Sequence, residues 1–296
     1  MERAPHAYLT TAEAADYLRL KERKVYDLVR QGEIPCVRVT GKLLFPRQSL
    51  DLWLMSHLEG DQASRRLVPS VLAGSQDPLL EWAVRESGSQ LALLCHGSGD
   101  GVRRLLAGDA MLAGLHLIDP ESGGYNEPAR LGLGGMRDLV MVRWAWRRQG
   151  LLLAPDNPLG IVELADLARP GVRVAYRQPD AGAERLLNVL LAREGMDRQR
   201  LTLAEHPSLS EDDLALSVRQ GEAEVGLGVE AAARRQGLAF VSLHAEAFDL
   251  ALRRRSYFEP PVQRLLAFAR GPRFAERAEA LGGYDLSELG RVVHNA

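Results

Sequence analysis

The chain has 296 residues and a formal net charge of −2, with hydrophobic side chains at 46% and charged ones at 26% of positions. That balance excludes a disordered or low-complexity chain, and the length accommodates about two ordinary domains. No apolar run of about 18 residues and no cationic leader followed by an apolar stretch occurs, which predicts a cytoplasmic protein without membrane association. Two cysteines, Cys36 and Cys95, exclude a disulfide framework and read as buried thiols.

The neutral total hides a local excess. Residues 19–47 hold eight Lys/Arg against Glu22, Asp27 and Glu33, a net +5. Thr10 and Glu13 have capping-box spacing before Ala12, Ala14, Ala15 and Leu18, which predicts a short helix with a small-residue face. After Arg19-Leu20-Lys21, a second helix ending at Gly32 carries Val25, Leu28 and Val29 on one stripe and leaves Arg23, Lys24, Tyr26 and Arg30 off it. Residues 34–40 and 42–45 read as two short strands around Gly41, with Arg38 and Lys42 near the tip. Pro46 opens a closing helix with Leu50, Trp53 and Leu54.

This stretch, LTTAEAADYLRLKERKVYDLVRQGEIPCVRVTGKLLFPRQSLDLWL, resembles the winged helix-turn-helix of the excisionase and MerR-like families over about residues 8–58. A helix with off-core Arg and Lys can enter a major groove, and a cationic wing can reach phosphate. Arg23, Lys24 and Tyr26 are the expected recognition-helix contacts. Arg38, Lys42 and Arg47 are the expected wing and backbone contacts, since a side chain meeting phosphate needs charge more than shape. The competing reading is a solvated basic face on a protein-binding module.

Residues 59–76 read as a linker with a brief apolar patch at Leu67, Val68, Val71 and Leu72. Asp77 opens a second domain, 77–296, with Leu79, Leu80, Trp82 and Ala83 at helical spacing before a strand at 91–95. That strand runs into His96-Gly97-Ser98-Gly99-Asp100-Gly101, where a turn at a helix N-terminus presents backbone N–H groups to an anion or polar atom. Further on, Gly108-Asp109-Ala110-Met111-Leu112-Ala113-Gly114 and Gly221-Glu222-Ala223-Glu224-Val225-Gly226-Leu227 nearly repeat each other, 113 positions apart. Each reads as helix, left-handed glycine stop, acidic turn and strand. Two similar lobes are expected, with a strand, loop and helix upstream at 91–107 in one and 172–191 in the other. The turn at 176–183 is then the counterpart of 96–101, and the two grip one ligand from both sides.

From Leu79 onward the chain resembles the periplasmic-binding-protein-like domains found fused to helix-turn-helix modules, and more distantly the periplasmic molybdate-binding proteins. The resemblance rests on Gly114-Leu115-His116-Leu117-Ile118-Asp119-Pro120 with Tyr125-Asn126, on Leu153-Ala154-Pro155-Asp156-Asn157-Pro158-Leu159-Gly160-Ile161, on Arg177-Gln178-Pro179, and on Gly226-Leu227-Gly228-Val229-Glu230. It implies an α/β fold of two lobes, of the type II periplasmic-binding-protein-like class, preceded by a small winged helix-turn-helix domain. Lobe I is expected at about 77–153 and 250–296, lobe II at about 154–249, with an effector between them, as also in LysR-type regulators. Expected ligand contacts are Gly97, Ser98, Gly99 and His116 from one lobe, and Arg177, Gln178, Ala181, Gly182 and Ala183 from the other. Where relatives commonly show Gly-Ser-Gly-Thr-Arg, this chain has Asp180-Ala181-Gly182-Ala183-Glu184, without the hydroxyls and the basic residue. An acidic pair near a helix N-terminus competes with a bound anion. Weakened molybdate binding, restored in part by Asp180→Ser, is therefore expected, and an oxyanion and a small organic molecule both remain open as effector.

His96, His116, Cys95 and Ser98 invite an enzyme reading. They show neither metal-ligand spacing nor a Gly-x-Ser-x-Gly elbow, so no catalytic residue, metal or cofactor is expected. The expectation is a ligand-responsive transcriptional regulator, binding double-stranded DNA as a homodimer. The alternatives are an excisionase-like architectural protein with a ligandless second domain, and an enzyme built on the two lobes.

Overall fold

The computed structural model describes residues 7–56 and 68–296. Two compact units divide the chain, Met1–Leu67 and Val68–Ala296. The expected domain boundary at residue 58 and the start of the expected linker, with Leu67, lie outside the described residues.

The first unit pairs β1 (Tyr8–Leu9) with β3 (Lys42–Pro46), and β3 with β2 (Val37–Val39), beside α1 (Thr11–Leu18), α2 (Glu22–Gln31) and α3 (Arg47–Ser56). Thr10 and Glu13 form the reciprocal capping box that starts α1. Gly32 ends α2 in the left-handed region at φ 69°. Leu9, Ala14, Ala15, Val25, Leu28, Ile34, Phe45 and Leu50 make one small core. Pro46 departs from expectation: it closes β3 opposite Tyr8 instead of opening the helix, and α3 begins at Arg47. Proline at a strand end with its nitrogen unpaired is tolerated there.

The second unit contains two successive, equivalent runs. The first is β4 (Val71–Gly74), α4 (Pro78–Glu86), β5 (Ala92–Leu94), α5 (Ser98–Ala107) and β6 (Leu112–Leu115). The second is β8 (Arg173–Ala175), α6 (Gly182–Arg193), β9 (Thr202–Leu203), α7 (Glu211–Gln220) and β10 (Val225–Val229). Both give the strand order second, first, third: β5-β4-β6 in lobe I and β9-β8-β10 in lobe II. Gly108 and Gly221 end α5 and α7 at φ 75° and 74°, as the repeated motif predicts.

Two expectations are corrected here. Residues 71–74 lie inside the expected linker, yet β4 is a parallel inner strand between β5 and β6, and Leu72 is completely buried. The lobes also align differently: 91–107 corresponds to β9 and α7, while 172–191 corresponds to β4 and α4. The turn at 176–183 is thus the counterpart of 75–77, not of 96–101. The physical cause is that β9 has two residues in a polar stretch and β4 has four, too short for either to show a period.

Two strands, β7 (Leu139–Leu153) and β11 (Ala239–Arg253), join the lobes. Each has 15 residues, long enough at about 3.3 Å per residue to cross both lobes. They pair antiparallel along their length, β11 with β6 in lobe I and β7 with β10 in lobe II, so the lobe boundaries fall inside them. After α8 (Glu230–Gln236) and β11 the chain returns to lobe I through α9 (Arg254–Tyr257), α10 (Pro260–Ala269) and α11 (Pro272–Leu281). The short strands β12 (Tyr284–Asp285) and β13 (Val292–Asn295) both pair with β7. Lobe II has its own core around Ile161, Leu164, Leu186, Leu187 and Val225. Among the described residues no helix is long and apolar enough to cross a membrane.

Candidate functional site

In the first unit, the packing of α2 on Val25 and Leu28 leaves Arg23, Lys24 and Tyr26 exposed on its outer side. Arg38 and Lys42 are exposed on the β2–β3 hairpin, whose tip, Thr40 and Gly41, has φ 47° and 80°, the geometry of a tight hairpin turn. Arg47 is half-buried, and its guanidinium lies 4.9 Å from the centre of the Tyr17 ring. The exposed set thus occupies one helix and one hairpin, the two elements that a winged helix-turn-helix offers to DNA.

In the second unit, the loops at the C-terminal ends of β4, β5 and β6 converge on the start of α6. Ser98, at the first turn of α5, is fully buried, and its hydroxyl lies 2.7 Å from that of Ser75 while accepting the His116 backbone N–H at 3.2 Å. The lobes are in contact. A Cβ built on Gly97 would meet the Asp180 carbonyl oxygen at 2.8 Å, and one on Gly99 would face the Asp180 carboxylate at 3.5 Å. A Cβ built on Gly182 would meet the His116 ring at 2.5 Å. Of the expected ligand contacts, Gly97, Ser98, Gly99, His116, Ala181 and Gly182 therefore lie along one seam, with Ala183 buried in the first turn of α6.

Arg177 and Gln178 are engaged elsewhere. The Arg177 guanidinium donates to the Glu211 carboxylate at 2.7 Å and to the carbonyls of Ser208 and Leu209, and Gln178 donates to the Leu209 carbonyl. Both side chains fasten the β8–α6 turn to the segment before α7, within lobe II. The acidic pair also differs from expectation. Glu184 is buried, accepts the Arg177 backbone N–H and pairs with Arg198. Asp180 reaches lobe I instead, where both terminal nitrogens of Arg103 lie 3.1 Å from its carboxylate.

The centre of the site comes from the crossing strands, which sequence reasoning missed. Arg147 on β7 and Glu246 on β11 are paired in register and both fully enclosed. Glu246 also accepts from Gln149 at 2.9 Å and lies 2.8 Å from His116 Nδ1. Burial pushes the Glu246 carboxyl up, but Arg147 and His116 overcome it and hold it down at about 2. The other side of Arg147 donates to Asp77 at 3.0 Å, and Asp77 caps α4 and accepts from Tyr284 at 2.8 Å. The Arg147 guanidinium carbon lies over Phe248, 4.3 Å from the ring centre. The only available signal was Arg147-Arg148-Gln149 in an apolar stretch and Glu246 in a mirror-image one, and it has no meaning until the register is known.

A cavity of about 490 Å³ is lined by Trp146, Arg148, Ala245 and Tyr284 among others. Side chains alternate along a strand, so Trp146, Arg148 and Ala245 stand on the face opposite Glu246. Cys36 and Cys95 are half-buried rather than buried. Burial, with the charges of Glu81 and Asp77, nonetheless pushes the Cys95 thiol up to about 12, which keeps it protonated and unreactive. No group of three or more His, Cys, Asp or Glu among the described residues is placed to hold a metal ion.

Comparison with known proteins agrees with both units. Residues 80–270 match the family model described as PBP superfamily domain, and residues 8–57 match a helix-turn-helix domain. Uncharacterized protein YvgK of Bacillus subtilis (strain 168) is 23% identical over 96% of this chain and 97% of its own. Among solved structures, a substrate-binding protein of Clostridium perfringens assigned to a phosphate ABC transporter, with bound phosphate, has a TM-score of 0.53. It is 14% identical and covers 72% of this chain and 97% of that one. An H2O2-bound cysteine-to-serine mutant of OxyR from Corynebacterium glutamicum also has a TM-score of 0.53, at 14% identity over 92% of this chain and 89% of that one. A helix-turn-helix and a binding-protein fold on one chain fit a DNA-binding regulator with a ligand-binding domain. The chain belongs to the PBP superfamily, with a helix-turn-helix domain ahead of the binding fold.

Proposed function

We propose that this protein is a transcriptional regulator that reads duplex DNA with its first unit and senses a small effector at the seam between the lobes of its second. The observation that carries the reading is the convergence of Ser98, His116 and the start of α6 on a buried polar centre. A core filled by apolar side chains would have suited a ligandless interaction module instead. Lobe closure on the effector is the switching event, because a ligand that contacts both lobes binds the closed form more tightly and shifts the population toward it. Two copies acting as a homodimer would read half-sites about 34 Å apart or a multiple of that.

The test is a binding selection on the full chain. A recovered operator should be bound with an affinity that an effector changes, and sedimentation should return a dimer. A chain that selects no DNA sequence, or whose DNA affinity no small molecule alters, would rule this reading out.

A further inference from the structure

Three polar atoms beside Glu246 are buried without a hydrogen-bond partner among the described residues: Gln149 Oε1, Tyr125 Oη and His244 Nε2. They are neighbours. Gln149 and His244 are direct register partners on β7 and β11, as are Arg147 and Glu246 two positions along, so all four side chains share one face of the ribbon. Tyr125, bridged to Ile118 in the loop after β6, lies with its ring centre 5.9 Å from that of His244. Gln149 is completely buried, and its amide nitrogen is committed to Glu246 at 2.9 Å. Its oxygen therefore points the other way. Turning the amide over would set that oxygen against the carboxylate.

Each of these three can accept, His244 Nε2 in the tautomer with its proton on Nδ1, while Arg147 Nε beside them is an unmatched donor. An amide oxygen only accepts, a neutral imidazole accepts on one nitrogen, and a phenol oxygen does both. Burial lowers the affinity of His244 for a proton and raises that of Tyr125, so the first is neutral and the second a hydroxyl near pH 7. Apart from the His116 ring that faces Glu246, the enclosed formal charges are Glu246 and Asp77 against Arg147, an excess of one negative charge, and Arg193 nearby is exposed. An oxyanion placed here would meet a fixed carboxylate and an amide oxygen. An ammonium group brings three N–H donors and a positive charge, and so matches both the acceptors and the charge deficit.

We propose that the seam holds a subsite for a protonated amine, with Gln149, Tyr125 and His244 accepting its N–H groups and Glu246 supplying the opposing charge. The inference rests on the reading of this seam as the effector site and names the class of effector. A buried polar atom without a partner costs stability, so removing the Tyr125 hydroxyl should not harm the free protein.

The experiment is thermal shift and calorimetry on the full chain with ethanolamine and putrescine as amine probes, and molybdate and phosphate as oxyanion probes. The expected result is saturable stabilisation by an amine and none by the oxyanions. Tyr125→Phe should weaken amine binding tenfold or more while the melting temperature of the free protein stays level or rises, which a merely structural role would not produce. Gln149→Met should weaken it as much but lower the melting temperature, because it also removes the N–H that Glu246 accepts. Saturable binding of molybdate or phosphate, binding of neither class, or amine binding indifferent to both variants would overturn the proposal. DNA affinity measured with and without the amine separates the two readings. An amine that binds at this subsite without altering DNA affinity upholds the subsite and removes the sensor. An oxyanion that alters it does the reverse.

Discussion

The ring of His116 in lobe I and the backbone of Gly182 in lobe II face each other so closely that a Cβ on Gly182 would lie 2.5 Å from His116 Cε1. Gly182 opens α6 with an ordinary backbone, so space and not conformation demands glycine here. Gly182→Ala should drive the lobes apart or displace a ring held by Glu246, at a cost of about 1–3 kcal/mol. Urea denaturation checks this, and an unchanged midpoint would mean that the ring swings aside freely.

Arg103 and Asp180 close the outer rim of the same seam, with side-chain exposures of 61% and 53%. Exposed pairs are worth under about 1 kcal/mol, so Asp180→Ala should barely alter the melting temperature. The same small energy acts wholly on the balance between open and closed lobes, which a dye pair with one dye on each lobe would register as a shift toward the open form. It also revises the expectation for Asp180→Ser: any gain in oxyanion affinity must be offset by loss of this latch.

Arg147 stands between two enclosed carboxylates, Asp77 and Glu246. Arg147→Met should cost about 3–5 kcal/mol, because it strands both charges away from water. A loss below about 1 kcal/mol would show that water reaches them.

Acid should act through Glu246. Its folded-state value, held at about 2, is lower than the about 4.3 of an unfolded glutamate. The stabilisation is therefore complete above the unfolded value and is lost as pH falls from there through the folded one. The stability difference between wild type and Glu246→Gln should shrink over that range in denaturant titrations. A difference that stays constant with pH would contradict the ion pairing.

Arg23 and Lys24 lie exposed on α2, outside the core formed by Val25 and Leu28. Replacing both with Ala should leave the melting temperature within about 0.5 kcal/mol of wild type and weaken operator binding. If each meets a phosphate, the slope of log affinity against log salt should fall by about 0.9 per contact. Unchanged affinity would remove α2 as the reading helix.

Short-range chemistry made much of this fold legible. The Thr10–Glu13 box and the stops at Gly32, Gly108 and Gly221 are local, and the structure places each where residue type and spacing require. The alignment of the lobes was not legible, because β4 and β9 are shorter than any period that could announce them. The centre of the seam was hidden for another reason. Arg147 and Glu246 are 99 positions apart, and only the register of β7 on β11 makes them a pair. Arg177 misled because an arginine beside a strand-to-helix turn suits a ligand as well as it suits Glu211, and the choice depends on a segment 34 residues downstream.

The two crossing strands also set an order of assembly. Lobe II lies between the pieces of lobe I, whose sheet needs the far half of β11 and the terminal strand β13 against β7. During synthesis, β8 to β10 have all left the ribosome before the strand that completes lobe I exists. Lobe II can then close its own core around Ile161, Leu186 and Val225 while β6 still exposes an unpaired edge, and such edges invite association between chains. The 50 or so residues from about the middle of β11 to Ala296 are thus what turns a nascent chain with an open edge into one whose lobe I sheet is paired.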